Sequence, residues 1–199
     1  MIDRPLVFMC AGGISIPSLV KMIRKNNPNK KIYGIDADKN FTEKNIFDDF
    51  YFGYLPNEKK FISRLIEIID IIGPCILIPG ADNEALELSL YKNILEDRHV
   101  LCNVMERKTI EFLIDKYSLN KKIFKLNSEF CVRCIKVKNN IALQEACIKL
   151  GYPDKKIILK PIIGRGRRDT FVLCEKTYTN KITDMPPFMT LKEAINKKQ

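Results

Sequence analysis

The chain has 199 residues, 46% hydrophobic and 29% charged, which supplies a real core and excludes a chain that is disordered throughout. Its formal net charge of +10 is lopsided: residues 1–100 carry 13 Lys/Arg against 14 Asp/Glu, and residues 101–199 carry 21 against 10. No apolar run approaches the roughly 20 residues that cross a bilayer, and the start Met1-Ile2-Asp3-Arg4-Pro5 lacks a secretory layout, so a cytoplasmic protein with no membrane association is expected, with a second half that attracts anions.

Leu6–Cys10 reads as a buried strand. Ala11-Gly12-Gly13 turns, and Ser15 is placed to cap a helix over Ile16–Lys25 that tolerates Pro17 in its first turn. Lys31–Ile35 is a second strand with Asp36 at its end, and Phe50–Phe52 a short third one. Phe61, Leu65, Ile68, Ile69 and Ile72 share one helical face, with Asn57 as the expected cap and Gly73-Pro74 as the stop. Cys75–Pro79 is a nearly continuous apolar strand, as in a parallel sheet covered on both faces. Asp82 is expected to cap a helix that aligns Leu86, Leu90 and Ile94, and His99–Val104 reads as another strand. Strand and helix alternate throughout, which predicts a doubly wound α/β domain of about five parallel strands over residues 1–104.

From Glu106 the pattern changes, and residues 105–199 read as a second, α+β part. Helices are expected over Arg107–Ile114 and, with a basic surface, Lys116–Lys125; Phe130–Ile135 reads as a strand. Asn139 or Asn140 should cap a helix with Leu143, Ala146, Cys147 and Leu150 on one face, closed by Gly151. Ile157–Leu159 and Thr170–Leu173 are two strands of a hairpin, residues 176–190 look irregular, and Thr190 begins a last helix over Leu191–Lys197.

Seven cysteines without framework spacing suit reduced thiols. The lone Cys131-Val132-Arg133-Cys134 has no second pair and lies far from the single histidine, His99, so a strand reading is preferred to a zinc site and no metal ligands are assigned. Gly12-Gly13 with Asp36 has the parts of a dinucleotide site, but the glycine fingerprint is not completed by Ile14-Ser15-Ile16, which points to a tight turn instead. Asp82 and Glu84, in Pro79-Gly80-Ala81-Asp82-Asn83-Glu84, sit at the carboxyl edge of a central strand, where α/β proteins bind ligands; capping and the helix dipole account for them without a ligand, and that reading is preferred to a substrate contact.

The densest signal is Lys160 at a strand end, followed by Pro161 and by Gly164-Arg165-Gly166-Arg167-Arg168-Asp169. The strand fixes the lysine backbone, the glycines let amides approach phosphate oxygens, and the arginines add charge-assisted donors. A solvated basic hairpin and a nucleic-acid surface are the rivals. No aromatic side chain is interleaved in Gly164–Asp169, which favours a small polyphosphate over nucleic acid.

Three pieces in order resemble the ATP-grasp superfamily, of the carbamoyl-phosphate-synthase large-subunit type: Ile78–Glu84 at the end of a Rossmann-like pre-ATP-grasp domain, Asp115-Lys116-Tyr117, and Leu150-Gly151-Tyr152-Pro153 leading to Leu159-Lys160-Pro161 and the glycine loop. The resemblance covers nearly the whole chain. It implies that Lys116 and Lys160 contact ATP phosphates and that Gly164, Arg165, Gly166, Arg167 and Arg168 form the loop closing over them. It also implies ATP with Mg2+ and a small carboxylate substrate, activated as an acyl phosphate for attack by an amine in a carbon–nitrogen ligase. Arg167 replaces the serine of the family loop and Asp169 its last glycine, and the family's magnesium ligands would lie downstream of Gln199. The expectation is therefore an ATP-binding amino-terminal part with an incomplete ATP-grasp module, inactive or weakly ATP-binding by itself. A non-catalytic nucleotide-binding module of that fold is the alternative, a basic nucleic-acid-binding protein the weaker one, and a homo-oligomer is compatible with either.

Overall fold

Val7 and Phe8 are neighbours in β1 (Leu6–Phe8), and both are completely buried. Successive side chains of a strand point to opposite faces, so this strand must be covered on both sides. In the computed structural model, which describes residues 4–164, 169–175 and 186–197, Val7 joins a core with Met9, Ile35, Phe61, Leu65, Ile68 and Leu77, whereas Phe8 joins another with Ile16, Val20, Ile32 and Phe47. Two compact units divide within one helix, between Glu111 and Phe112.

The first unit runs β1, α1 (Ile16–Asn26), β2 (Ile32–Asp36), β3 (Asp49–Phe52), α2 (Phe61–Ile72), β4 (Ile76–Ile78), α3 (Asp82–Leu88), α4 (Lys92–Glu96) and α5 (Arg107–Ile114), the last crossing the division. The sheet order is β3-β2-β1-β4, and every pairing is parallel. The chain winds outward from β1 in one direction and then returns to its other side, as the alternating pattern required. α2 buries Phe61, Leu65, Ile68 and Ile69, the expected face, each side chain contributing about 2 kcal/mol of transfer free energy. Gly73, at φ 81°, ends it and donates to Ile69 O.

Several expectations need correction. Lys60, not Asn57, stands at the start of α2, and no side chain caps it. The helix expected after Pro79 is two short ones, α3 and α4, broken near Leu90. Leu88 and Leu95 are its buried apolar residues, whereas Leu90 and Ile94 are exposed, because the break resets the helical phase. His99–Val104 forms no full strand. Leu101 alone bridges Ile76 in parallel, exchanging hydrogen bonds with Cys75 O and Leu77 N, so the fifth strand position is held by a single residue. His99 turns into it at φ 57°.

The second unit continues with α6 (Lys116–Leu126), α7 (Asn140–Leu150), β5 (Ile157–Leu159), β6 (Phe171–Leu173), β7 (Phe188–Met189) and α8 (Leu191–Lys197). β5 and β6 pair antiparallel as the expected hairpin. β7, which falls in the stretch read as irregular, pairs parallel to β6. Asn139 caps α7 by accepting from Ala142 N, and Gly151 closes the helix at φ 100°. Thr190 and Glu193 cap α8 reciprocally, the carboxylate accepting from Thr190 N and Glu193 N donating to Thr190 Oγ1. Leu143 and Cys147 of α7 pack with Leu173, Met189 and Ala194 into this unit's core. Phe130–Ile135 is not a strand: a 3-10 turn over Ser128–Phe130 leads into a segment with no sheet partner. Its alternating apolar residues meet no neighbouring edge, so Phe130, Val132 and Ile135 stay exposed.

Candidate functional site

The second unit holds the residues that the polyphosphate reading requires. Asp115 caps α6: Ser118 N donates to Asp115 Oδ1 at 2.8 Å, and Ser118 Oγ donates to Oδ2 at 2.9 Å. The Ser118 amide, with help from its hydroxyl, holds the Asp115 carboxyl below the usual carboxylate range. The cap fixes Lys116 as the first residue of α6. Lys116 then meets the chain beyond β5 twice: its backbone N donates to Ile162 O at 3.1 Å, and its Nζ donates to Gly164 O, also at 3.1 Å. A residue 48 positions earlier in sequence is thereby tied to the start of the glycine–arginine stretch.

Lys160 follows Leu159 directly. In β5, Ile157 and Leu159 turn inward and Ile158 outward, and Lys160 is exposed in phase with Ile158. The residue is thus on the exposed side of the hairpin, immediately past the strand end. Gly164 lies against Pro161: a Cβ at this position would sit 2.7 Å from Pro161 Cγ, so a bare backbone is needed where the chain leaves the strand. Arg165, Gly166, Arg167 and Arg168 lie outside the described residues. Asp169 is described and exposed, with φ 56°, a left-handed conformation in which glycine is unstrained and aspartate is tolerated.

Tyr152, in the Gly151-Tyr152-Pro153 stretch, braces this hairpin. Its hydroxyl donates to Cys174 O at 3.3 Å and accepts from Leu191 N at 3.4 Å, linking the end of α7 to β6 and α8.

The first unit keeps its candidate residues apart from any such arrangement. Asp36 Oδ2 accepts from Gly12 N at 2.7 Å, and Oδ1 accepts from Asp38 N at 2.8 Å. The carboxylate that a dinucleotide reading would assign to a ribose is engaged with two backbone amides. The sheet order reverses between β1 and β4, where α/β ligands commonly bind. There the two loops meet backbone to backbone, and a Cβ on Gly80 would lie 2.5 Å from Met9 O. Glu84 is buried and accepts from Gly80 N at 2.8 Å and Ala81 N at 3.1 Å. Asp82 is exposed and is the first residue of α3 rather than its cap, a position held by Ala81. The sequence showed the carboxylates but not which one the turn would bury; only the packing of Gly80 on Met9 decided that.

Among the described residues no group of three or more His, Cys, Asp or Glu is placed to hold a metal ion, and no helix is long and apolar enough to cross a membrane.

These features define a parallel α/β unit followed by a smaller α+β unit whose hairpin carries a lysine at one strand end. Among solved structures, pyruvate carboxylase from Rhizobium etli with its allosteric activator acetyl coenzyme A is 16% identical, covers 85% of this chain and 15% of its own, and has a TM-score of 0.52. A biotin carboxylase–beta-gamma-ATP complex from Campylobacter jejuni is 17% identical, covers 84% of this chain and 37% of its own, and has a TM-score of 0.50. Both are ATP-grasp proteins, and the chain shares their fold over the part they have in common. No protein-family model and no curated protein matches the sequence.

Proposed function

We propose that this chain binds the triphosphate of ATP as the amino-terminal part of an ATP-grasp carboxylate–amine ligase. In this reading residues 1–104 are the pre-ATP-grasp domain and residues 105–199 begin the ATP-grasp module. The observation that carries it is the bond from Lys116 Nζ to Gly164 O, which gathers a cation and the entry of the glycine–arginine stretch at one place. The carbonyl oxygen is a modest partner for an ammonium, and a phosphate oxygen with full negative charge is a stronger one. Lys116 can therefore exchange Gly164 O for phosphate, and the loop entry is freed in the same step.

Lys160 would supply a second cation from a fixed strand end, and Arg165, Arg167 and Arg168, with the amides of Gly164 and Gly166, would cover the phosphates. ATP bound in this way would supply the phosphoryl group that activates a carboxylate. The residues named here hold and neutralise the phosphates and keep water away, the usual protein contribution to phosphoryl transfer. Magnesium would arrive on the triphosphate, since the described residues offer no cluster to hold it beforehand. At the edge of the first unit's sheet, Asp82 is the exposed candidate for a substrate contact, with Glu84 committed to the turn beside it.

Calorimetric titration of Mg-ATP into the chain and into the Lys116→Ala and Lys160→Ala variants tests the reading. Loss of either charge-assisted contact is expected to weaken binding about tenfold or more. Unchanged affinity in both variants would overturn the assignment. A non-catalytic nucleotide module of the same fold is the second reading, favoured by the exposed carboxylate of Asp169 at the end of the loop. It predicts ATP binding without ATP turnover even when the rest of an ATP-grasp module is joined to the chain and candidate carboxylates and amines are supplied.

A further inference from the structure

Cys131 and Cys134 have no part in the proposed nucleotide binding. Both lie beyond the 3-10 turn, in a segment that pairs with no strand. Their thiols converge on a single residue of α6: Cys131 Sγ donates to Asn120 O at 3.5 Å, and Cys134 Sγ donates to Asn120 Oδ1 at 3.0 Å. Asn120 Nδ2 in turn donates to Val132 O at 3.4 Å. The Cys-Val-Arg-Cys segment thus lies along one asparagine, with Cys131 on its backbone carbonyl and Cys134 on its side chain.

The remaining cysteines are placed differently. Cys75, Cys147 and Cys174 are buried, Cys10, Cys102 and Cys131 are half-buried, and Cys134 alone of the seven is exposed. Burial pushes the Cys75 and Cys102 thiols up to about 11 and raises Cys147 as well, so these groups stay protonated and shielded. A small reagent therefore meets Cys134 first and finds a second thiol close by. Arg133 between the two cysteines is exposed and attracts an anionic reagent.

We propose that Cys131 and Cys134 are a dithiol modification site that accepts a small-molecule disulfide of the glutathione disulfide class and closes to an intramolecular disulfide. The Cys134 thiolate attacks one sulfur of the reagent, and the other sulfur leaves as a thiolate and takes up a proton. The Cys131 thiolate then attacks Cys134 Sγ, the bond to the small thiol breaks, and a second reduced thiol departs with a proton. Two protein thiols are oxidised and one disulfide is reduced to two thiols, so atoms and electrons balance. Closure requires the two Cα atoms to lie within about 7 Å. No sheet ladder holds the segment, so the adjustment breaks no strand pairing. Closure also removes both S–H donors from Asn120 and leaves its Nδ2 bond to Val132 O.

The test is peptide mapping of the whole chain after incubation with oxidised glutathione. Trypsin cuts after Arg133, between the two cysteines, so closure links peptide 126–133 to peptide 134–136 in a non-reduced digest, and dithiothreitol separates them. That linked pair is expected as the main product. Cys131→Ser should instead retain glutathione on Cys134 as a stable mixed disulfide, and Cys134→Ser should react with glutathione at least tenfold more slowly. Glutathione persisting on Cys134 of the unsubstituted chain, no linked pair, or earlier reaction at Cys10 or Cys102 would each overturn the proposal.

Discussion

Asp36 and Gly12 lie at the ends of adjacent strands, and the Asp36 carboxylate accepts the Gly12 amide at 2.7 Å. With Asp38 N on its other oxygen, Asp36 closes the turn after β1 and its own turn after β2 together. The sequence pattern that suggests a dinucleotide site is here a backbone clamp. Asp36→Ala leaves both amides without their charged partner and is expected to cost about 2 kcal/mol. Urea unfolding checks this; an unchanged midpoint would show that water replaces the carboxylate at no cost.

Gly80 shows a steric requirement at the same edge of the sheet. A Cβ there would stand 2.5 Å from Met9 O and 2.9 Å from Cys10 Cβ, both fixed by the sheet. Gly80→Ala must separate β4 from the turn after β1, at an expected cost of about 3 kcal/mol. A melting temperature within a degree or so of the parent's would show that the turn can yield.

Asp48 is the most strongly shifted carboxylate that faces solvent. Burial raises it, but the Ile32 amide, Arg24 at 2.8 Å and Lys31 at 3.0 Å outweigh that and hold it at about 2. A carboxylate whose folded value is depressed contributes stability above its unfolded value near 4, and the contribution is lost as pH falls toward 2. Asp48→Asn is expected to lower stability at neutral pH by about 1 kcal/mol, given the solvent around the pair. Thermal melts from pH 5 to pH 2 should show a shallower decline for the variant; parallel curves would remove Asp48 from the acid response.

Asp169 carries a left-handed backbone, at φ 56°. Asp169→Gly relieves that strain and removes a negative charge from the proposed phosphate loop, so tighter binding of Mg-ATP is expected, with stability raised by up to about 1 kcal/mol. Weaker ATP binding in calorimetry would show that the carboxylate assists the site.

The amino-acid order by itself determined the alternation of strands and helices, the buried faces of α2 and α7, the Thr190 cap, an asparagine cap of α7 at 139 or 140, and the β5–β6 hairpin, because each depends on residues close in sequence. It also determined the residue types offered to a phosphate. Tertiary structure decided the rest. Whether Leu101 extends the sheet depends on Ile76, whether Phe130–Ile135 becomes a strand depends on a partner edge, and β7 exists only because β6 is beside it. The pairing of Lys116 with Gly164 and of Asp36 with Gly12 likewise joins chain segments far apart in sequence. Periodicity reports which face of an element is apolar, whereas only packing selects the distant group that each polar atom meets.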